Sequence, residues 1–310
     1  MRRLLITGSN GLLGQRLVDL LSRLSNYNVL LTSRQPKSIY GEETLAYSQL
    51  DLAKRADVRR VIEEYEPDVI INAAAMTDVD KCEAERAMAW NTNVIGVENI
   101  IGAAKLIGAR IIQLSTDYIF DGKSGPYHET DRPCPVNYYG RSKLAAENLL
   151  TTSGVPHMIV RTSILYGMGT EVNVNFGMWL LRNLGEEHTV RVAMDQFGNP
   201  TLADDVAYAI IRGIELNRTG TYHIAGPDLL SRYDFAIALA DLFSLNRKLI
   251  SPVTSAALRQ AATRPLKAGF ITLKADTDLG IKMSGADRGL SIFRNQVESL
   301  VDRAEDSGLL

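Results

Sequence analysis

Leu4-Leu5-Ile6-Thr7-Gly8-Ser9-Asn10-Gly11-Leu12-Leu13-Gly14 is an apolar run, a glycine-studded turn and the opening of an amphipathic segment. Read in that order it is strand, tight turn, helix. Glycines remove side chains where a backbone must approach a pyrophosphate and where helix and strand pack closely, and a helix N-terminus presents free N–H groups and the positive end of its dipole. Gly8, Asn10, Gly11, Leu12 and Gly14 are therefore the candidate dinucleotide contacts. The spacing, Gly-x-x-Gly-x-x-Gly, is one residue wider than the common dinucleotide fingerprint. A glycine turn by itself is weak evidence; its position between a buried-type strand and an amphipathic helix makes a nucleotide site the better reading.

Outward from this turn, short apolar runs alternate with helical segments: Arg3–Thr7, Gln15–Leu24, Asn28–Ser33, Val58–Glu64, Asp68–Ala74, Ala84–Leu106, Arg110–Ser115, Asn137–Thr151 and Met158–Thr162. The strand-like runs are continuous Val/Ile/Leu, as in strands covered on both faces, and the alternation implies βαβ units. The fold expected is α/β, a Rossmann-type doubly wound parallel sheet with a smaller C-terminal substrate-binding lobe. Residues 1–165 form the cofactor domain and 166–310 mainly the lobe, some segments of which can return to the sheet. In that second part helices are expected at Asn175–Leu184, Ala203–Leu216, Ser231–Phe243 and Gly289–Arg303, with short runs Val190–Ala193 and Thr221–Ala225 between them and an irregular Ala-rich stretch before the last.

The composition narrows the function. Lys and Arg number 34 against 36 Asp and Glu in 310 residues, a net charge of -2, so there is no basic field for nucleic acid or an anionic membrane. Cys82 and Cys134 lie far apart with no metal-ligand spacing, which fits a reducing compartment. Met1 to Ile6 opens like a signal peptide, but Thr7 and Gly8 cut the apolar run short, and no stretch approaches the length of a membrane span. A cytoplasmic, soluble protein is expected.

The end of the second strand reads Thr32-Ser33-Arg34. An enzyme specific for NAD places a carboxylate there on the ribose hydroxyls; Ser33 and Arg34 instead suit a 2′-phosphate, so NADP(H) is preferred with NAD(H) as the alternative. Arg34 can equally be a solvated surface arginine. Asp51-Leu52, ending the next strand, would border the adenine, and Ala73, Ala74 and Ala75 after Asn72 would let a nicotinamide ribose pass over the strand end.

Tyr139-Gly140-Arg141-Ser142-Lys143 opens a Leu/Ala/Glu-rich helix. Residues four apart share a helix face, roughly 5–6 Å apart at Cβ, so an ammonium at Lys143 is expected to favour the phenolate of Tyr139 and lower its pKa, making it a usable acid or base at a carbinol oxygen. Thr116, in Ser115-Thr116-Asp117-Tyr118, should emerge at a strand's carboxyl end and hydrogen-bond the same oxygen. Arg264 is a candidate for a diphosphate oxygen or a tie for the C-terminal lobe, and Asn175 and Gln196 are further substrate-side candidates. His223 reads as a satisfied core histidine.

These pieces in this order resemble the extended short-chain dehydrogenase/reductases, and within them the dTDP-4-dehydrorhamnose reductase family. The likeness is carried by the Gly8/Gly11/Gly14 turn, Asn72-Ala73-Ala74, Asp117-Tyr118-Ile119-Phe120-Asp121-Gly122, the Tyr139/Lys143 pair, Asp195-Gln196-Phe197-Gly198-Asn199-Pro200-Thr201, Tyr222-His223 and Arg264-Pro265. The resemblance implies a triad of Thr116, Tyr139 and Lys143, with Asn93 helping to hold the lysine through water. It also implies substrate contacts at Thr116, Asp117, Tyr118, Ile164, Asn175, Gln196 and Arg264. The reaction implied is reduction of the 4-keto group of a nucleotide-linked 6-deoxysugar by NAD(P)H, without a metal, in a monomer or homodimer. Two positions depart from the family pattern: Ile164 and Arg232 stand where tryptophan is common, and an isoleucine wall lacks the indole donor. The wording Ile-Leu-Tyr-Gly is similar to the regulatory β subunit of methionine adenosyltransferase, a relative that binds cofactor and acts as a partner. That subunit and a sugar-nucleotide epimerase are the rival readings.

Overall fold

The computed structural model describes residues 1–40, 45–170 and 175–306. β1 (Arg2–Thr7) is an interior strand of its sheet, with Leu4, Leu5 and Ile6 fully buried. Around it stand β2 (Tyr27–Ser33), β3 (Tyr47–Gln49), β4 (Val69–Asn72), β5 (Arg110–Thr116), β6 (His157–Thr162) and a strand from Gly220 to His223. The seven lie in the order Gly220–His223, β6, β5, β4, β1, β2, β3, every neighbour parallel. The chain order reverses between β1 and β4, and open α/β sheets bind ligands outside the carboxyl ends of the strands at such a point.

Side chains alternate across the sheet with period two, and each face has its own helical cover. Leu4 and Ile6 pack with Leu17 and Val18 of α1 (Leu12–Leu21) on one face. Leu5, Ile70 and Ile111 pack on the other with Val58 and Ile62 of α2 (Arg55–Tyr65). Each such side chain taken from water contributes about 1.5–3 kcal/mol, which is why a two-sided sheet demands continuous apolar strands.

The expected Ala84–Leu106 helix is instead four pieces. They are α3 (Val79–Ala84), α4 (Arg86–Trp90), a π-helical turn at Asn91–Ile95 and α5 (Gly96–Ile107). The break falls at Glu85, whose φ of -113° and ψ of 56° are not helical. The π turn carries buried Asn93 and Val94, and such single-turn bulges re-aim side chains inward. α6 (Tyr138–Thr152) follows, capped by Asn137, whose side-chain oxygen accepts from Gly140 N at 2.8 Å.

Beyond β6 the chain weaves between two bodies. α7 (Phe176–Gly185), α9 (Arg232–Leu242) and α12 (Ala286–Asp306) surround a separate core of Leu180, Phe235, Leu239 and Phe293, beside the parallel pair Val190–Ala193 and Ile250–Val253. α8 (Ala203–Glu215) returns to cover the sheet through Val206 and Ile210, and Gly220–His223 joins its edge. The Ala-rich stretch is not wholly irregular: it holds α10 (Ser255–Leu258), and α11 (Leu273–Leu279) follows it with Ala275 and Leu279 buried in the sheet-side core. Asp51 and Leu52 do not end a strand, because β3 stops at Gln49. Leu52 is buried beneath α5, where Asn99 Nδ2 donates to its carbonyl at 2.8 Å. No helix among the described residues is long and apolar enough to cross a membrane.

Candidate active site

The glycine turn leaves β1 at φ +70° for Gly8, a left-handed conformation that suits glycine. A Cβ there would lie 2.8 Å from the Ala74 backbone, and one on Gly14 would lie 2.3 Å from the Gly8 carbonyl oxygen. Gly11 is the N-cap of α1 and supplies no side-chain cap, so the first N–H groups of that helix have no side-chain partner. Beneath the turn, Thr7 Oγ1 donates to Asn72 Oδ1 at 2.6 Å and Asn72 Nδ2 to Gln113 Oε1 at 2.8 Å, a buried rung across three neighbouring strands. Gln15, which sequence reading passed over, steadies the turn from below: its amide nitrogen donates to the carbonyls of Asn10 at 2.9 Å and Thr170 at 2.7 Å.

Asn10 reaches to the end of β2, donating to Gln35 and, at 2.9 Å, to the Lys37 carbonyl. Ser33 Oγ hydrogen-bonds the Tyr47 hydroxyl at 2.8 Å and accepts from Gln35 N at 3.1 Å, and Arg34 is exposed beside it. Among the described residues, the pocket edge thus carries amide, hydroxyl and guanidinium groups and no carboxylate at the strand end. This cradle fits an anionic dinucleotide: open helix N–H groups at the turn, donors at the ribose end, and a backbone surface where a Cβ would collide.

From the turn, contact passes without interruption to α6. Gly8 touches Ala74, and Ala73 N donates to the Thr7 carbonyl at 3.2 Å. Two residues on, Met76 is clamped by Asn93, which accepts from Met76 N at 2.8 Å and donates to its carbonyl at 3.1 Å. The same amide nitrogen donates to Ser142 Oγ at 2.9 Å, and Ser142 Oγ donates to the Tyr139 carbonyl at 2.8 Å. Asn93 therefore ties the catalytic-helix candidate to the strand end through protein atoms.

Tyr139 stands against Thr116, and Lys143 lies one helical turn along α6 from Tyr139. All three are buried; Tyr139 hydrogen-bonds Thr116 and meets the Tyr118 ring edge-on at 5.9 Å between centroids. The electrostatics differ from expectation. Burial pushes the Tyr139 phenol above its ordinary value, Thr116 pulls it back, and Asp117 and Cys82 raise it further, whereas an ammonium-driven fall was predicted. Lys143 is itself pushed down to about 8 by burial, opposed by Glu147 and Cys82. Desolvation disfavours the charged form of both groups, and burial is the largest cause of both shifts. Tyr139 is accordingly a neutral phenol at neutral pH, set up to donate.

Asp117 is fully buried beside this pair, and burial raises its carboxyl to about 6 against hydrogen bonds from Ser163 and Thr116. Ser163 Oγ donates to Oδ2 at 2.7 Å and Thr116 Oγ1 to Oδ1 at 3.1 Å. Cys82 lies behind Tyr139 with its thiol donating to the Met76 carbonyl, and burial pushes it up to about 11. Ile164 holds φ +40°, a strained value for a β-branched residue, and its side chain fills the space over Gly198.

The remaining candidates have protein partners. The guanidinium of Arg264 makes paired bonds to Asp80 at 3.0 and 2.9 Å, tying the C-terminal segment to α3, with Ala262 N donating to the same carboxylate at 2.8 Å. A fork held this way is not free for a diphosphate, so the tie is the role its geometry supports. Asn175 caps α7 through Met178 N and donates to the Gly167 carbonyl. The Gln196 amide donates to Ser255 and Gln260. His223 is fully buried, stacked at 3.9 Å on Phe270, and pushed down to about 3 by burial and by Arg161.

The family described as the RmlD substrate binding domain matches residues 1–300. A dTDP-4-dehydrorhamnose reductase of Aggregatibacter actinomycetemcomitans is 36% identical over 310 residues, covering 96% of this chain and 100% of the relative. A crystal structure of a dTDP-4-dehydrorhamnose reductase from Clostridium acetobutylicum superposes with a TM-score of 0.86 at 32% identity, covering 96% of this chain and 99% of the other. One from Bacillus anthracis, in complex with NADP, gives 0.82 at 31% identity, covering 94% and 99%.

Proposed function

The chain belongs to the dTDP-4-dehydrorhamnose reductase family of extended short-chain dehydrogenase/reductases, and from that membership and the site geometry we propose that it reduces the 4-keto group of a dTDP-linked 6-deoxysugar. It is an oxidoreductase of the dTDP-rhamnose type and uses NADP(H) by preference, with NAD(H) as the alternative. The reductase reading stands over an epimerase or a non-catalytic regulatory subunit, since relatives of near-equal length carry the reductase name.

The observation that carries the reading is the buried Thr116–Tyr139–Lys143 cluster, connected by unbroken contacts to the glycine turn. Gly8, Gly11, Gly14, Asn10 and Leu12 would hold the pyrophosphate at the start of α1, with Ser33 and Arg34 at the 2′-phosphate and Ala73, Ala74 and Ala75 beneath the nicotinamide ribose. When bound, the reduced nicotinamide supplies a hydride to the carbonyl carbon. Tyr139 donates its proton to the carbonyl oxygen as negative charge develops there, and Thr116 hydrogen-bonds the same oxygen. Lys143 contributes an ammonium whose field favours that charge. Asp117, anchored by Ser163, accepts the Thr116 hydroxyl proton until the substrate oxygen takes its place as acceptor, and Tyr118 and Ile164 face the sugar. Asn93 fixes the height of α6 over the strand ends. Cytoplasmic location and a monomeric or homodimeric state accompany this reading.

The test is NADPH consumption with dTDP-4-dehydrorhamnose. Tyr139→Phe should lower turnover by about 100-fold or more, the usual weight of a lost general acid, with NADPH binding intact. Unimpaired turnover in that variant refutes the role given to the phenol.

A further inference from the structure

Glu147 sits one helical turn beyond Lys143 on α6, fully inside the protein at 3% exposure. Residues four apart on a helix are neighbours. Its carboxylate is gripped by Arg161 of β6: Nε donates at 3.0 Å and Nη2 at 2.7 Å. Arg161 is itself buried, lies over the Phe120 ring at 5.5 Å, and donates to the Glu129 carbonyl at 3.3 Å, while its Nη1 stands 3.3 Å from His223 Nε2. A buried ion pair of this kind carries a desolvation cost that a pair of apolar side chains would not, so it is weak evidence for stability alone. Its position gives it another use. Among the described residues, no carboxylate makes an ion pair with Lys143, and Glu147 is the carboxylate that acts on it.

Resting on the reading of Lys143 as the ammonium partner of Tyr139, we propose that Glu147, clamped by Arg161, is a positioning residue that supplies the counter-charge for Lys143. Arg161 fixes where that negative charge sits and shares it, so the lysine feels a set fraction of it. The groups acting on Lys143 are Glu147 from α6 and Cys82 from α3, and Tyr139 lies one turn before it on α6; Asp117 faces Tyr139, and Arg161 on β6 with His223 behind it faces Glu147. His223 stays neutral in the working range, pushed down to about 3, and so leaves the pair undisturbed. Cys82, pushed up to about 11, is likewise neutral there.

Opposite substitutions should move Lys143 in opposite directions. Glu147→Gln removes the counter-charge and should lower the titration of the amine by about one pH unit, with the alkaline limb of turnover following it. Arg161→Met releases the carboxylate from its partner and should raise the titration by a smaller amount; a nearby opposite charge is worth about one to three pH units. The direct readout is the pH titration of the Lys143 ε-carbon by NMR in 13C-lysine protein, assigned with Lys143→Arg, alongside pH profiles of kcat and of NADPH affinity. Because Glu147→Gln leaves a buried guanidinium unpaired, the double variant Glu147→Gln with Arg161→Met serves if the single one does not fold. It too removes the counter-charge, and its amine should titrate below wild type. Unchanged titration in a folded variant lacking Glu147, or shifts of the same sign in both single variants, overturns the inference. Wild-type protein that binds NADPH but leaves dTDP-4-dehydrorhamnose untouched would sink the proposed reaction, and the NMR titration would still decide the role of Glu147.

Discussion

Burying Lys143 has a measurable cost, and replacing it should make the protein more stable as it makes it inactive. The amine falls from 10.5 to about 8 on folding, and at about 1.36 kcal/mol per pH unit that is roughly 3 kcal/mol of lost stability when the group is charged in both states. Lys143→Met keeps the length of the side chain and removes the charge. At pH 7 the variant should be more stable than wild type by that order, a rise in Tm of about 5 °C for a chain of this size. The sign follows from proton binding. Below pH 8 the amine is protonated in both states and the folded state carries the full desolvation cost. As pH rises from about 8 to 10.5 the folded protein releases the proton first, wild-type stability gains, and the gap to Lys143→Met closes. Denaturant unfolding of both proteins at pH 7 and near pH 10 measures the gap, and comparing the two cancels other groups that titrate there. Equal stability at pH 7, or a gap that stays the same at pH 10, would falsify the claim that burial sets the state of this amine.

Three further outcomes follow from the same geometry. Gly14→Ala puts a Cβ 2.3 Å from the Gly8 carbonyl oxygen and 2.7 Å from Ser9 Cα; the turn must open, and NADPH affinity measured by fluorescence titration should fall about tenfold or more, near 1.4 kcal/mol. For Asp117, folding raises the carboxyl from 3.8 to about 6. Between those values the folded protein holds a proton the unfolded chain has released, so its contribution to stability is lost as pH rises through the window. Asp117→Asn should abolish that slope in unfolding experiments from pH 4 to 7 and lower kcat/KM by about tenfold, because the Thr116 hydroxyl loses its charged acceptor. Arg264→Met should lower Tm by unpairing Asp80, which is partly exposed, while the KM for the nucleotide sugar stays within about twofold; a large rise in KM would return Arg264 to the diphosphate.

Local chemistry was legible from the chain because it is written in short range. Leu4-Leu5-Ile6 between charged and glycine residues reads as a strand buried on both faces, and Gly8-x-x-Gly11-x-x-Gly14 as a turn that brings backbone close to something; both hold in the interior of the sheet. Tyr139 and Lys143 share a helix face by arithmetic alone, and the motif around Thr116 gave the third member. The same arithmetic runs on to Glu147, four residues further, and a charge on that stripe was the available signal for the buried pair with Arg161. Segments that break a pattern were harder: periodicity across 84–106 does not reveal the π turn, because Asn93 is drawn inward by Met76 and Ser142, partners distant in sequence. What only the tertiary structure decided is how charged and polar groups are valued. Spacing places an ammonium near a phenol, but the sign of their pKa shifts depends on how much water remains, and burial reversed it for Tyr139. Spacing likewise offered Arg264 to a diphosphate or to the lobe, and folding gave its fork to Asp80 from a helix more than 180 residues away. Desolvation and partner choice are sums over neighbours that the chain order does not contain.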